Sequence, residues 1–258
     1  VRVMRSALAA AGLPEDAVQL VDSPERALVS ELLAARGRLD LVIPRGGAGL
    51  IRHVVETAKV PVIETGVGNC HLFVDASADP EQALAIALNA KTQRPGVCNS
   101  IETLLVHRDL AAGLLPSLLG TLAAAGVTLY ADPEARRIFP ASESATEADW
   151  ATEYLDLKLA VRIVADVDEA IAHINRYGSQ HSEAILTQDA AHAERFQQRV
   201  DAAAVYVNAS TRFTDGFAFG FGAEIGISTQ KLHARGPLGL AELVTYKYLV
   251  EGTGQTRP

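Results

Sequence analysis

The stretch LDLVIPRGGAGLIRHVVETAKVPVIET, residues 39–65, decides the fold class. It begins with a short apolar run at 39–44 and ends with a second one at 60–65, and both have the length of a buried strand. Between them lie a glycine turn at 45–49 and the helical spacing of LIRHVVETA at 50–58. A strand, a helix and a second strand in this order form a βαβ crossover, because parallel strands need a long connection. The stretch therefore predicts a parallel sheet.

The same alternation of strand and helix patterns continues along the chain. Further strand candidates lie at 71–76, 102–107, 127–131, 157–164, 183–187 and 204–209, and further helix candidates at 79–93, 110–126, 166–178 and 189–200. Lys91 falls in the last turn of the helix at 79–93, where a cation suits the helix dipole. This alternation predicts the α/β class.

The composition is that of a globular protein and excludes several functions. Of the 258 residues, 48% are hydrophobic and 21% are charged, which suits one large domain or two smaller ones. The formal net charge of -8 argues against nucleic-acid binding. No apolar run approaches the roughly 18 residues that a membrane span needs. The chain opens on Val1 within a helical pattern, so we expect that it begins inside a fold and lacks an N-terminal part.

The two cysteines are the first candidates for chemistry. They form neither a disulfide framework nor a metal-binding spacing, which predicts no metal site and favours a cytoplasmic location. Cys98 follows a Pro-Gly turn in RPGVCNSIETLLVH, where backbone N–H groups can face a developing oxyanion. A nucleophile and an inert buried thiol both fit this position. Cys70 directly precedes a strand and is interpreted as structural.

Three other features are candidates for binding. Glu64 ends an apolar run, and ligands of open α/β sheets bind at the carboxyl edge, although a solvated strand end fits as well. The turn at 45–49 has a helix start that suits phosphate, but it also fits a plain tight turn. Residues 213–229 are rich in glycine and phenylalanine, which is typical of a loop close to a ligand or another chain.

Five motifs together resemble those of the gamma-glutamyl phosphate reductases, which belong to the aldehyde dehydrogenase superfamily. They are VIPRGGAGLI, VPVIETGVGNCHLFVD, NAKTQRPGVCNSIETLLVH, YGSQHSEAILT and the segment at 205–255. The resemblance implies an aldehyde-dehydrogenase-like fold of parallel-sheet, three-layer domains with a C-terminal oligomerisation strand, in which the first half of the cofactor domain is absent. It divides the chain into a remnant of the NADP-binding domain at 1–68, a catalytic domain at 69–212, and a glycine-rich loop with the oligomerisation segment at 213–258.

The resemblance also implies a reaction. It is the NADPH-dependent reduction of L-glutamyl 5-phosphate to L-glutamate 5-semialdehyde and phosphate in proline biosynthesis, through a thioacyl intermediate on Cys98. It further implies a homo-oligomer and names glutamate 5-kinase as a candidate partner. Two alternatives stay open: reduction of another acyl phosphate or an acyl-CoA, and an inactive fragment that only folds and associates. We expect weak activity or none from this chain alone.

The same resemblance assigns roles to individual residues. Glu64 matches the superfamily's general base. Four residues match contacts of the cofactor: Gly46, Gly47, Gly49 and Glu153. Asn99 is assigned to the substrate. Arg212 is a further candidate for the substrate on different grounds, its charge and the glycine density of the loop at 213–222, and a surface salt bridge is the alternative.

Overall fold

The computed structural model describes residues 1–232 and 234–258, with residue 48 described by its backbone only. The chain divides into two units. The smaller comprises Val1–Val42 and His53–Val62, and the larger comprises Ile43–Arg52 and Ile63–Pro258. Within the described residues, the longest apolar helices fall short of what a membrane crossing requires.

The smaller unit is helical, and the two strands predicted in it do not form. It contains α1 (Arg2–Ala10), α2 (Ala27–Ala34) and the later part of α3 (Ala48–Thr57). The runs at 39–44 and 60–65 meet in a single parallel bridge between Val42 and Val62. The predicted parallel direction is therefore right, but the two runs share one bridge and do not form the continuous pair of strands that we predicted. Two short segments without further strands beside them in the described chain cannot sustain a sheet.

The larger unit is built on a seven-stranded sheet in which every neighbouring pair is parallel. Its strands are β1 (Cys70–Val74), β2 (Ile101–His107), β3 (Thr128–Ala131), β4 (Glu143–Ser144), β5 (Lys158–Val164), β6 (Ser182–Leu186) and β7 (Ala204–Val207). They lie in the order β4-β3-β5-β2-β1-β6-β7. The predicted α/β class and parallel sheet are confirmed.

Five helices connect these strands: α4 (Pro80–Thr92), α5 (Arg108–Ala124), α6 (Pro133–Ile138), α7 (Val167–Tyr177) and α8 (Ala190–Arg199). An aspartate precedes four of them, and its side chain accepts hydrogen bonds from the N–H groups of the first turn. These caps are Asp79, Asp132, Asp166 and Asp189. Because the cap satisfies donors that have no partner within the helix, it fixes where each helix begins. The short α6 and β4 were not predicted, since neither is long enough to show a period.

The helices cover both faces of the sheet and make three layers. Alternate residues of a strand point to opposite faces, so Leu72 and Val74 pack with α4 and α5 while Phe73 packs with α7 and α8. Leu104 and Leu105 divide in the same way. The hydrophobic core therefore lies on both faces of the central strands β1 and β2. It fixes the position of these strands and of the residues at their ends.

The chain ends in a segment that forms no strand with any described residue. It follows the short pair β8 (Ile227–Ser228) and β9 (Gly236–Pro237), and it runs from 244 to 258. Tyr248 and Val250 in it are 81% and 88% exposed. The predicted pairing of this segment with another subunit stays a prediction.

Candidate functional site

A cavity of about 510 Å³ lies at the amino ends of β1, β2 and β5, which are neighbours in the sheet. Each strand contributes residues that directly precede it: Gly66 and Val67 before β1, Gly96 and Cys98 before β2, and Glu153 and Leu155 before β5. Thr65 and Gly66, which directly follow Glu64, line the cavity, so the carboxyl end of the run at 60–65 lies at it as well. Loops at the amino ends can carry a site here because three adjacent strands begin side by side.

Backbone contacts hold Cys98 at the wall of this cavity. Gly68 passes so close to it that a Cβ there would overlap the carbonyl oxygen of Cys98. The same oxygen accepts a hydrogen bond from the thiol of Cys70 at 3.1 Å. One residue later, Asn99 Nδ2 donates to the carbonyl of Thr214 at 2.8 Å. Because these contacts hold the carbonyl of Cys98 and the side chain of the next residue, they fix where the thiol lies.

The electrostatics of the cavity keep the thiol protonated at neutral pH. Burial, together with the nearby carboxylates of Glu224 and Glu153, raises the pKa of Cys98 to about 11. The backbone N–H of Cys98 and the charge of Arg212 act in the opposite direction but are weaker. The free site therefore holds a thiol, which must lose its proton before the sulfur can act as a nucleophile.

The alkylation rate of Cys98 should report this pKa directly, because Cys70 is fully buried and shielded. At pH 8 the thiolate is about one part in a thousand, so the rate of iodoacetamide labelling should rise about tenfold per pH unit from 7 to 10. Replacing Glu224 with glutamine should increase the rate at pH 8 about fivefold, and replacing Arg212 with glutamine should decrease it. A labelling rate that stops rising below pH 9 would contradict a raised pKa for Cys98.

Glu153 lines the same cavity and contacts Gly68, which packs on the backbone of Cys98. Its Oε1 accepts the N–H of Gly68 at 2.6 Å, and it contributes to the cavity lining. Glu153 was predicted as a cofactor contact, and the structure brings it to the same cavity as Cys98. Whether it contacts a cofactor stays a prediction.

The glycine turn before α3 lies only partly at the cavity. Gly46 and Gly47 line it, whereas Gly49, one of the three predicted, does not. Arg45 lines it as well and was not predicted. The guanidinium of Arg45 is therefore a cationic group at the cavity, and it directly precedes the two glycines in the sequence.

Three other predicted residues are not part of the cavity lining. The backbone N–H of Glu64 donates to Gln230 Oε1 at 3.0 Å. Asn99 is buried, and its side-chain Nδ2 donates a hydrogen bond to the carbonyl of Thr214. Arg212 Nε donates to Gln93 Oε1 at 2.9 Å, and no ion pair is found for it among the described residues. The roles predicted for these three residues stay predictions.

Sequence reasoning missed the close approach at Gly68 and the contribution of Glu224. The two glycines of the TGVGN motif indicate a turn or a close approach of the backbone at Gly68. Only the fold shows that the partner in this close approach is the backbone of Cys98. Glu224 accepts the N–H of Gly216 at 2.9 Å and lies beside Gly226, whose absent side chain leaves room for Thr65 and Arg45. The glycine density at 213–229 did predict a loop close to a ligand, and part of this segment lines the cavity.

Comparisons with known proteins agree with this architecture. The model of the aldehyde dehydrogenase family matches residues 2–140 and 159–229. Gamma-glutamyl phosphate reductase from Moorella thermoacetica is 61% identical over 256 residues, which are 99% of this chain and 61% of that protein. The one from Desulforamulus reducens is 58% identical over 258 residues, which are 100% of this chain and 62% of that protein. The chain thus spans about three fifths of the length of these curated relatives.

Solved structures agree as well. The crystal structure of gamma-glutamyl phosphate reductase from Thermotoga maritima matches 98% of this chain and 61% of its own, with a TM-score of 0.96 and 54% identity. An acetylating aldehyde dehydrogenase from Geobacillus thermoglucosidasius matches 100% of this chain and 66% of its own, with a TM-score of 0.74 and 19% identity, and so shares the fold. The family model covers most of the chain, and the parallel sheet agrees with the fold of these structures. The chain therefore belongs to the aldehyde dehydrogenase family.

Proposed function

We propose that this chain carries the thiol half of an NADPH-dependent reductase that converts L-glutamyl 5-phosphate to L-glutamate 5-semialdehyde and phosphate in proline biosynthesis. The observation that carries the proposal is a cysteine fixed by its backbone at the wall of a cavity of about 510 Å³. Curated relatives with this sequence pattern are named gamma-glutamyl phosphate reductase. Because the chain spans 61% of such a relative, the activity is proposed for the whole protein.

The first half of the reaction needs only the thiol and the acyl phosphate. The sulfur of Cys98 forms a bond to the acyl carbon, the bond from that carbon to the phosphate oxygen breaks, and phosphate leaves with the electron pair. The thiol proton passes to a base at the cavity wall, where Glu153 and Glu224 carry the carboxylates. Phosphate is a good leaving group, so the protein mainly supplies orientation and donors for the oxyanion.

The second half needs a hydride donor, and the residues of the cavity fit a phosphorylated cofactor. A Cβ at Gly47 would meet no atom within 4 Å, so the backbone there is open to a ligand. Arg45 offers a guanidinium, the group that binds phosphate with two parallel hydrogen bonds. We assign Arg45, Gly46 and Gly47 to the cofactor phosphates and Glu153 to its ribose. When bound, NADPH would supply the hydride that reduces the thioester on Cys98, and the sulfur would leave as the aldehyde forms.

Acyl transfer to Cys98 tests this function without any cofactor. The chain is mixed at pH 8 with glutamyl phosphate or with an acyl-CoA, and the phosphate or CoA released per mole of protein is measured. We expect a burst of about one phosphate per chain, since the thioester is not turned over, and no burst of CoA. The chain with alanine at position 98 corrects for spontaneous decomposition of each donor. A CoA burst without a phosphate burst would favour the alternative, an acyl-CoA reductase, and would contradict the proposal.

A further inference from the structure

A buried ion pair lies at the base of the loop that carries Cys98. Lys91 stands at the end of α4 and Glu102 at the start of β2, both side chains are fully buried, and Nζ lies 2.6 Å from Oε2. Lys91 Nζ also donates to the carbonyl of Ile101 at 2.9 Å. Next to this pair, Ser100 Oγ donates to the carbonyl of Ala90 at 3.1 Å. These contacts join the helix to the strand and close the loop at both of its ends.

The second oxygen of Glu102 contacts the segment before β5, which also lines the cavity. Its Oε1 accepts the backbone N–H of Leu155 at 3.2 Å. Leu155 has a φ of 53°, in the left-handed region that a leucine rarely adopts, so a partner for its N–H is needed to hold it there. The carbonyl of Leu155 also lies 3.6 Å from the place that a Cβ of Gly96 would occupy, so the segments before β5 and before β2 pack together.

The Leu155 segment connects back to the nucleophile through Glu153. As described above, the carboxylate of Glu153 accepts the N–H of Gly68, and Gly68 packs on the backbone of Cys98. The contacts from Glu102 to Leu155, and from Glu153 through Gly68 to Cys98, form a closed ring. A change at Glu102 can therefore reach Cys98 along the chain and through the segment that carries Glu153.

Stability alone does not explain a charged pair at this position. Burial lowers the pKa of Lys91 and raises the pKa of Glu102 to about 7, because both lose their hydration, and their mutual attraction only opposes these shifts. Apolar side chains of similar volume often stabilise a core as well as such a pair does. An apolar side chain, however, has no acceptor for the N–H of Leu155. The contact with Leu155 is the part of the arrangement that requires an oxygen acceptor at position 102.

We propose that Glu102 is a positioning residue, which Lys91 fixes in place and which holds the N–H of Leu155, so that the segment carrying Glu153 keeps its place beside the Cys98 thiol. The relevance of this ring to catalysis rests on the proposed function, whereas the ring itself is a property of the fold. Its test therefore uses two measurements that need neither substrate nor cofactor.

The first measurement is hydrogen exchange of the Leu155 amide in Glu102→Gln. A glutamine has one oxygen, and Lys91 has only donors, so the oxygen turns to Lys91 and the NH₂ group faces Leu155. The Leu155 amide should then exchange about tenfold faster than in the wild type. In Lys91→Met/Glu102→Gln the oxygen is free to return to Leu155, and exchange should slow again. A second substitution that restores protection is not expected from a role in stability alone.

The second measurement is the pH profile of Cys98 alkylation in the same chains. Loss of the Leu155 contact should loosen the wall with Glu153, lower the thiol pKa and increase labelling at pH 8 about fivefold. Lys91→Met/Glu102→Leu removes the acceptor without leaving a charge and should resemble Glu102→Gln in both measurements. If Glu102→Gln does not fold, the comparison between the two double variants decides. Equal Leu155 exchange and equal alkylation profiles in these two would overturn the proposal. A chain that passes both tests but transfers no acyl group would refute the proposed function alone.

Discussion

Replacing Cys98 with alanine should reduce acyl transfer from glutamyl phosphate by at least about 1000-fold, because the reaction then has no nucleophile at the cavity. The cavity would remain, since Cys98 is only partly buried and the contacts of its backbone do not involve the sulfur. The expected result is an intact fold with no phosphate burst. Burst amplitude, with the thermal unfolding midpoint as a check on folding, measures this.

Cys70→Ala is the matched control for this prediction. Cys70 is fully buried, and burial raises the pKa of its thiol well above the ordinary value, so it is shielded and protonated. Its removal should cost about 1 kcal/mol of stability through a lost hydrogen bond and a small cavity. The burst should persist, slowed by less than about tenfold. If Cys70→Ala abolished the burst and Cys98→Ala did not, the nucleophile would be the other thiol.

Replacing Gly68 with alanine should be the most disruptive single methyl addition near the site. The new Cβ would overlap the carbonyl oxygen, the carbonyl carbon and the Cα of Cys98, and none of these can rotate away as a side chain does. The free energy of unfolding should fall by about 3 kcal/mol. The Cys98 loop should also be displaced, so that the alkylation rate at pH 8 changes. Urea unfolding and iodoacetamide labelling measure the two effects.

Gly113→Ala is the control for added bulk. Gly113 lies exposed within α5, and a Cβ there would meet no atom within 4 Å. Because alanine is the better helix former, this substitution should raise stability by about 0.5–1 kcal/mol. Equal stability of the Gly68 and Gly113 variants would mean that the close approach at Cys98 is not a constraint on the fold.

The sheet of the larger unit was predictable because each of its elements carries its own pattern. Strands such as 102–107 are buried on both faces around an apolar centre at 104–106, and helices such as 166–178 begin with acidic residues that include an aspartate cap. The two strands at 39–44 and 60–65 have equally good patterns, yet they form only one bridge. Strand formation depends on neighbours in the sheet, and a local pattern does not contain them.

The sequence indicated Cys98 as a candidate, but it indicated few of the contacts that surround this cysteine. Lys91 was correctly placed in the last turn of its helix but was interpreted as a partner of the helix dipole, whereas it is fully buried against Glu102. Glu153 came from a family resemblance. Its contact with Gly68 spans 85 positions, and no spacing in the sequence indicates such a contact. Glu224 is close to the thiol for the same reason: the fold brings distant loops to the starts of β1, β2 and β5.

Peptide mapping after exposure to glutamyl phosphate tests the central claim, that Cys98 accepts the acyl group, most directly. The chain is incubated at pH 8, quenched in acid to preserve the thioester, digested and analysed by tandem mass spectrometry. We predict a glutamyl group on the peptide that contains Cys98, absent after hydroxylamine treatment because thioesters are cleaved by it, and none on the peptide that contains Cys70. A glutamyl group on Cys70, or released phosphate without any acylated cysteine, would contradict the account.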